Sequence, residues 1–117
     1  MNINYIAIPG IQRAKADPEA TILKVCQLTG SSYDQIVSGK GSNHHLCSIR
    51  AVIYYVLYNY HGISKSKIAS MFNKSAHATV INGLKKYEHW TENNRNFRVF
   101  ANGIIPFLDL PEKRLTP

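Results

Sequence analysis

A chain of 117 residues, 44% of them hydrophobic, has apolar material for one compact core rather than two. Its 14 Lys and Arg against 7 Asp and Glu leave a net charge of +7, which points to a polyanionic partner: nucleic acid first, an acidic membrane surface second. Two cysteines, Cys26 and Cys47, are too few for the disulfide framework of a small secreted protein; residues 1–10 lack a signal-peptide pattern, and the most apolar run, residues 46–58, is short of a membrane span and carries Arg50, so a cytoplasmic protein with reduced thiols is expected.

Residues 1–16, with Pro9 and Gly10, read as an arm holding at most one short extended piece at residues 3–8. Asp17-Pro18-Glu19 then supplies an N-cap, a proline at the first helical position and an acid at the positive helix end. This predicts a helix to about Thr29, stopped by Gly30, with a stripe of Ile22, Val25 and Cys26 and Leu28 as a candidate fourth member. Ser31 or Ser32 caps a short second helix over residues 33–37, and residues 38–42 form a flexible, partly basic loop. The third helix carries Leu46, Ile49, Ile53, Val56, Leu57 and Tyr60 at the spacing of one buried face, and Gly62 after His61 ends it. The other helices are expected to pack around it.

Two closely spaced helices follow. Ser64 caps residues 65–72, whose apolar face is Ile68, Ala69 and Phe72, and Asn73 suits the left-handed conformation of a tight turn. Ser75 caps a longer helix to about Asn93. Val80, Leu84 and Tyr87 lie on one side of it; Ala78, Asn82, Lys85 and His89 lie opposite, flanked by Thr79 and Lys86. The pair has the form of a helix-turn-helix, whose second helix enters the major groove of duplex DNA, although an ordinary helical hairpin shares the same spacing. Ser75, Ala76 and Ala78 are small enough for close approach, Thr79 and Asn82 hydrogen-bond to bases or phosphates, and the first-turn N–H groups offer a phosphate site. The charge distribution agrees. From Gln35 to Tyr87 there is no Asp or Glu, while Lys40, Arg50, Lys65, Lys67, Lys74, Lys85 and Lys86 all lie there, with His44, His45, His61 and His77.

The stretch from Thr21 to Glu92 resembles the C-terminal DNA-binding domain of the bacterial replication initiator DnaA, a Trp-repressor-like helical domain. The resemblance rests on the loop at residues 38–42, Arg50-Ala51-Val52-Ile53-Tyr54-Tyr55-Val56-Leu57, Ile68-Ala69-Ser70-Met71-Phe72, and above all Ala76-His77-Ala78-Thr79-Val80-Ile81. The family signature at the last place is Asp-His-Thr-Thr-Val, so His77, Thr79 and Val80 match. The resemblance implies that His77 approaches a base in the major groove, that Thr79 touches DNA beside it, and that Lys74 and Ser75 contact DNA from the turn. The family inserts a loop arginine into the minor groove; Lys40 is the nearest candidate here, with Asn43 and His44 close by. Ala76 and Ala78 replace an acid and a threonine of the signature, so a different target site is expected. The chain has no Gly-rich Lys-Ser/Thr loop, so an ATP-driven initiator is not expected.

Competing readings are narrower. A packed, hydrogen-bonded histidine is the alternative for His77. Of the acids, only Glu88 and Glu92 form a close pair, at the spacing of a solvated helix face, so no catalytic constellation, and no enzyme, is expected. His44, His45 and Cys47 with Cys26 or His61 lack the paired blocks of a zinc finger, and neither metal nor cofactor is expected. Phe97, Val99, Phe100, Ile104, Ile105, Phe107 and Leu108 either cover the bundle as a further helix, broken near Gly103 or Pro106, or form a homodimer contact. The expectation is an all-α bundle of five to six helices containing a helix-turn-helix: an arm over residues 1–16, the DnaA-like domain over 17–93 and a helical extension over 94–117. It binds double-stranded DNA as a transcriptional regulator or a replication accessory factor without ATPase. Lys74, Ser75, His77, Ala78, Thr79 and Asn82 serve the major groove; Lys40, Asn43, His44, Arg50, Lys65, Lys67, Lys85 and Lys86 serve phosphates or the minor groove. A protein-interaction module that keeps the fold without DNA binding is the alternative.

Overall fold

The computed structural model describes residues 17–38, 43–72 and 77–113. Those residues are all helical or connecting: α1 (Pro18–Thr29), α2 (Tyr33–Val37), α3 (His44–Asn59), α4 (Lys65–Met71), α5 (His77–Asn93), α6 (Arg95–Asn102) and a 3-10 turn (Ile105–Phe107). The arm, the loop residues 39–42, and Asn73, Lys74, Ser75 and Ala76 lie outside the described residues, as do the expectations placed on them.

Short polar side chains start five of these helices by accepting from backbone N–H groups that have no partner inside the helix. Asp17 Oδ1 accepts from Ala20 N at 2.7 Å, Ser32 Oγ from Gln35 N, Asn43 Oδ1 from Leu46 N, Ser64 Oγ from Lys67 N and Asn94 Oδ1 from Phe97 N. Gly30 ends α1 at a φ of 72°, where its N–H closes onto the carbonyls of Cys26 and Gln27. Leu28, a candidate for the α1 stripe, is 40% exposed. Its place is taken by Thr21, 1% exposed, whose Oγ1 is hydrogen-bonded to Nε2 of His61 at 2.9 Å. This polar pair ties the first turn of α1 to the end of α3.

α3 is the axis. It is enclosed by α1 and α2 on one side and by α4 and α5 on the other, with its broadest contact against α5. One buried face was expected; instead Ser48, Arg50, Ala51, Val52 and Tyr54 are buried along with Leu46, Ile49, Ile53, Val56 and Leu57. Neighbours on several sides leave the helix no solvent face through its middle. Tyr60, expected in the stripe, follows the last helical residue and is half-buried. The core adds Ile22, Val25 and Cys26 from α1, Ile36 from α2, Ile68 and Phe72 at α4, and Val80 from α5. Each large apolar side chain so buried contributes about 1.5–3 kcal/mol before the entropy of ordering is counted.

The apolar C-terminal segment covers the bundle. α6 ends at Gly103, near the expected break. Phe97 is buried with its ring 5.3 Å from Trp90 and 5.5 Å from Tyr87, and Ala101 and Ile104 are buried beside it. Arg98 Nη1 donates to the carbonyl of Thr91 at 2.9 Å, holding α6 to the last turns of α5. Val99 and Phe107 alone of the seven apolar residues in this segment are strongly exposed, at 62% and 64%. Packing on its own bundle thus occupies most of the surface expected for a dimer contact.

Tyrosines make the fold sensitive to alkali. Burial pushes the phenols of Tyr54 and Tyr87 above their ordinary value of 10.0. Below that value both groups are neutral in the folded and unfolded chain and add no pH dependence. Above it the unfolded chain releases protons that the folded protein keeps, so stability is expected to fall as pH rises beyond 10.0. Melting temperatures from neutral pH to about pH 11 would check this, and a flat profile across the upper range would contradict it.

Candidate nucleic-acid interface

α4 and α5 pack against each other, and both rest on α3. The orientation of α5 follows from its apolar residues. Val80 and Gly83 are buried and Leu84 and Tyr87 half-buried toward α3, which turns Ala78, Asn82, Lys85, Lys86 and His89 outward and exposed. His77 and Thr79 are exposed in the first turn as well, so the packed alternative for His77 does not describe its position.

Gly83 sets how closely α5 lies on the bundle. A Cβ there would stand 2.7 Å from Cε2 of Tyr54, and closer still to Cδ2, so α5 sits at this height only because the position has no side chain. Tyr54 is held in turn with its ring edge-on to Phe72 at 4.9 Å. Sequence reasoning missed this approach. A glycine inside a strong helical pattern was the available signal for it.

The polar face of α5 is electrically graded. His77, Ala78, Thr79, Asn82, Lys85 and Lys86 come without an acid, next to the positive end of the helix dipole, and Glu88 and Glu92 follow only in the second half. Anion binding is therefore favoured at the N-terminal half. In α4, Lys67 is exposed, and Lys65 is half-buried with its Nζ 5.2 Å above the ring of Tyr58.

The second group of expected contacts divides. Asn43 is exposed, but its side-chain oxygen is engaged as the N-cap of α3. His44 is exposed at the same helix start and lies edge-on to Trp90 at 5.1 Å. Trp90 is thirteen residues along α5 from His77, roughly 20 Å at the helical rise. His44 therefore lies at the far end of α5 from His77. Lys40, like Lys74 and Ser75, lies outside the described residues.

Arg50 does not lie on that surface. It is 7% exposed; its Nε donates to the carbonyl of Ile36 at 3.1 Å and its Nη2 to that of Gln35 at 2.9 Å. The guanidinium donates to carbonyls at the end of α2 that have no partner inside so short a helix, the Gln35 carbonyl also accepting from Ser38 Oγ at 3.1 Å. The expected phosphate contact is corrected to an interior brace. Arg50→Ala is expected to destabilise the fold by about 2–3 kcal/mol, since both the charged hydrogen bonds and the packing of the side-chain stem disappear. Urea denaturation checks this; unchanged stability with weakened DNA affinity would return Arg50 to the surface role.

Among the described residues no three His, Cys, Asp or Glu side chains gather as a metal site requires, and no helix is long and apolar enough to cross a membrane. The chain is 33% identical over 87 residues to the chromosomal replication initiator protein DnaA of Pseudothermotoga lettingae, a match that takes in 74% of this chain and 19% of the initiator. The chain therefore spans about a fifth of the length of that relative, and the match supports a DnaA-like relationship over part of it. No family model matches the chain. No solved structure matches it either.

Proposed function

We propose that this chain binds double-stranded DNA, without catalysing a reaction on it, by using α4 and α5 as a helix-turn-helix with the N-terminal half of α5 in the major groove. The observation that carries the reading is the exposed, acid-free run of His77, Ala78, Thr79, Asn82, Lys85 and Lys86 on one face of a helix whose opposite face is anchored to the core. Small and amide side chains of this kind reach base edges, and the lysines flank them at phosphate positions. The similarity to a replication initiator supports the same partner. It makes an accessory role in replication the first process to examine and regulation of transcription the second. Lys65 and Lys67 on α4 extend the phosphate contacts. Binding is read as sequence-specific, because the surface offers hydrogen-bonding groups as well as charge.

The test is selection of bound sites from a random duplex library at about 150 mM salt, where purely electrostatic binding is already weak. Enrichment of one motif is the expected result. Recovery of unenriched duplex would remove the sequence-specific part, and no recovery would favour a protein-interaction module instead.

A further inference from the structure

Beside the proposed duplex face, and sharing Lys65 and Lys85 with it, the molecule carries a groove whose tyrosine wall duplex binding does not use. It has a volume of 410 Å³ and runs between the end of α3 and the side of α5, over a floor of Ile81 and Leu84. Tyr55, Tyr58 and Tyr87 form its aromatic wall, and Lys65 and Lys85 line it. Tyr55 and Tyr87 are stacked face to face, with centroids 3.9 Å apart and planes within 11°. Lys113 stands over the Tyr55 ring at 5.4 Å, as Lys65 stands over Tyr58 at 5.2 Å.

The arrangement combines ring faces with ammonium groups resting on them, Lys113 also hydrogen-bonding to Tyr55. An ammonium on an exposed ring is held weakly, and a planar base stacks on the same ring more strongly. A ligand that offers a flat ring to the tyrosine and a negative charge to the displaced ammonium would satisfy both at once. Two lysines line the groove against a single lining carboxylate, Glu88, and Lys113 reaches the Tyr55 ring from outside it, so the charge favours a polyanion. An acidic peptide would match the charge but leaves the ring faces unused. The volume lies within the ordinary range for a small-ligand site of about 300–1,000 Å³.

We propose that this groove binds a single-stranded polynucleotide, with a base stacked on Tyr58 or Tyr55 and the adjoining phosphates on Lys65, Lys85 and Lys113. Because Lys85 also belongs to the duplex face, a strand in the groove lies directly alongside a duplex on α5. The site is independent of base identity, since every base has a stacking face.

The experiment titrates the full chain with a short oligothymidylate and follows the ring resonances of Tyr55, Tyr58 and Tyr87 by NMR, with affinity from anisotropy of the labelled strand. The expected result is movement of these rings and about a tenfold fall in affinity in Tyr58→Leu, the scale of one base stack. Lys65→Gln, which removes the ammonium from the Tyr58 ring and leaves the ring in place, is expected to weaken binding and flatten its salt dependence. Polyglutamate at equal charge moving the rings as far as the oligonucleotide would overturn the proposal, as would oligothymidylate binding that both variants leave unchanged. His77→Ala separates the two readings: it is expected to alter duplex binding only. Duplex binding that fails while oligothymidylate still moves the rings would remove the function proposed above and leave this site standing.

Discussion

Replacing Lys85 and Lys86 together by Gln is expected to lower affinity for every duplex alike, by about tenfold at moderate salt. The slope of log affinity against log salt should become shallower by about 0.9 for each phosphate that is no longer neutralised. Both ammonium groups are exposed on the outward face of α5, away from the core, so the fold should be untouched. Asn82→Ala and His77→Ala are expected to behave differently. They remove groups that reach base edges, so discrimination between sites should fall by about 1–3 kcal/mol at the positions they read while the salt slope stays nearly constant. Binding curves for a preferred and a scrambled duplex, each at several salt concentrations, separate the two classes. If Asn82→Ala and His77→Ala leave site preference intact, α5 does not read bases.

Gly83→Ala is expected to lower stability by about 1–3 kcal/mol, although the same change at an ordinary exposed helical position raises it by about 0.5–1 kcal/mol. The reversal of sign follows from geometry. The added methyl meets the ring of Tyr54, which cannot turn away because Phe72 packs against it. Tyr54→Leu costs stability on its own, because Phe72 is left without its aromatic partner. In the double variant the smaller side chain makes room for the methyl, so the two separate costs should sum to more than the measured total. Simple additivity, read from urea denaturation of the three variants, would show that the close approach does not limit the position of α5. Duplex affinity is expected to fall in Gly83→Ala as well, because the displaced helix carries Thr79 and Asn82 with it.

What could be read in the sequence divides along the range of the interactions. Asp17, Ser32 and Ser64 act within three residues of themselves, and Gly30 stops α1 through its own φ; local chemistry of this kind marks helix ends directly. The apolar spacing of α5 likewise foretold which side of it faces outward. Three features stayed hidden because their partners are far away in sequence. Thr21 was left out of the α1 stripe, and its burial rests on a hydrogen bond to His61, forty residues on. Arg50 looked like a cation for DNA because nothing local shows that the end of α2 needs a donor. Gly83 drew no expectation from the sequence, yet the close approach of Tyr54 makes it the residue that seats α5. The candidate site was legible as a list of side chains, and its setting was not: nothing local shows that His44 packs edge-on against Trp90, at the far end of α5 from His77.

The enclosure of α3 has a consequence for how the molecule opens. Amide protons of Val52, Ile53 and Val56 lie on a helix covered by α1, α2, α4 and α5, so they exchange with solvent only when the whole bundle comes apart. Those of α6 depend chiefly on its seat against α5, and a local detachment releases them at lower free energy. Exchange rates in α3 therefore report global stability, while those in α6 report the docking of one helix. α5 lies between the two, with its inner side on α3 and its last turns against α6, so its amides are expected to divide between the two classes.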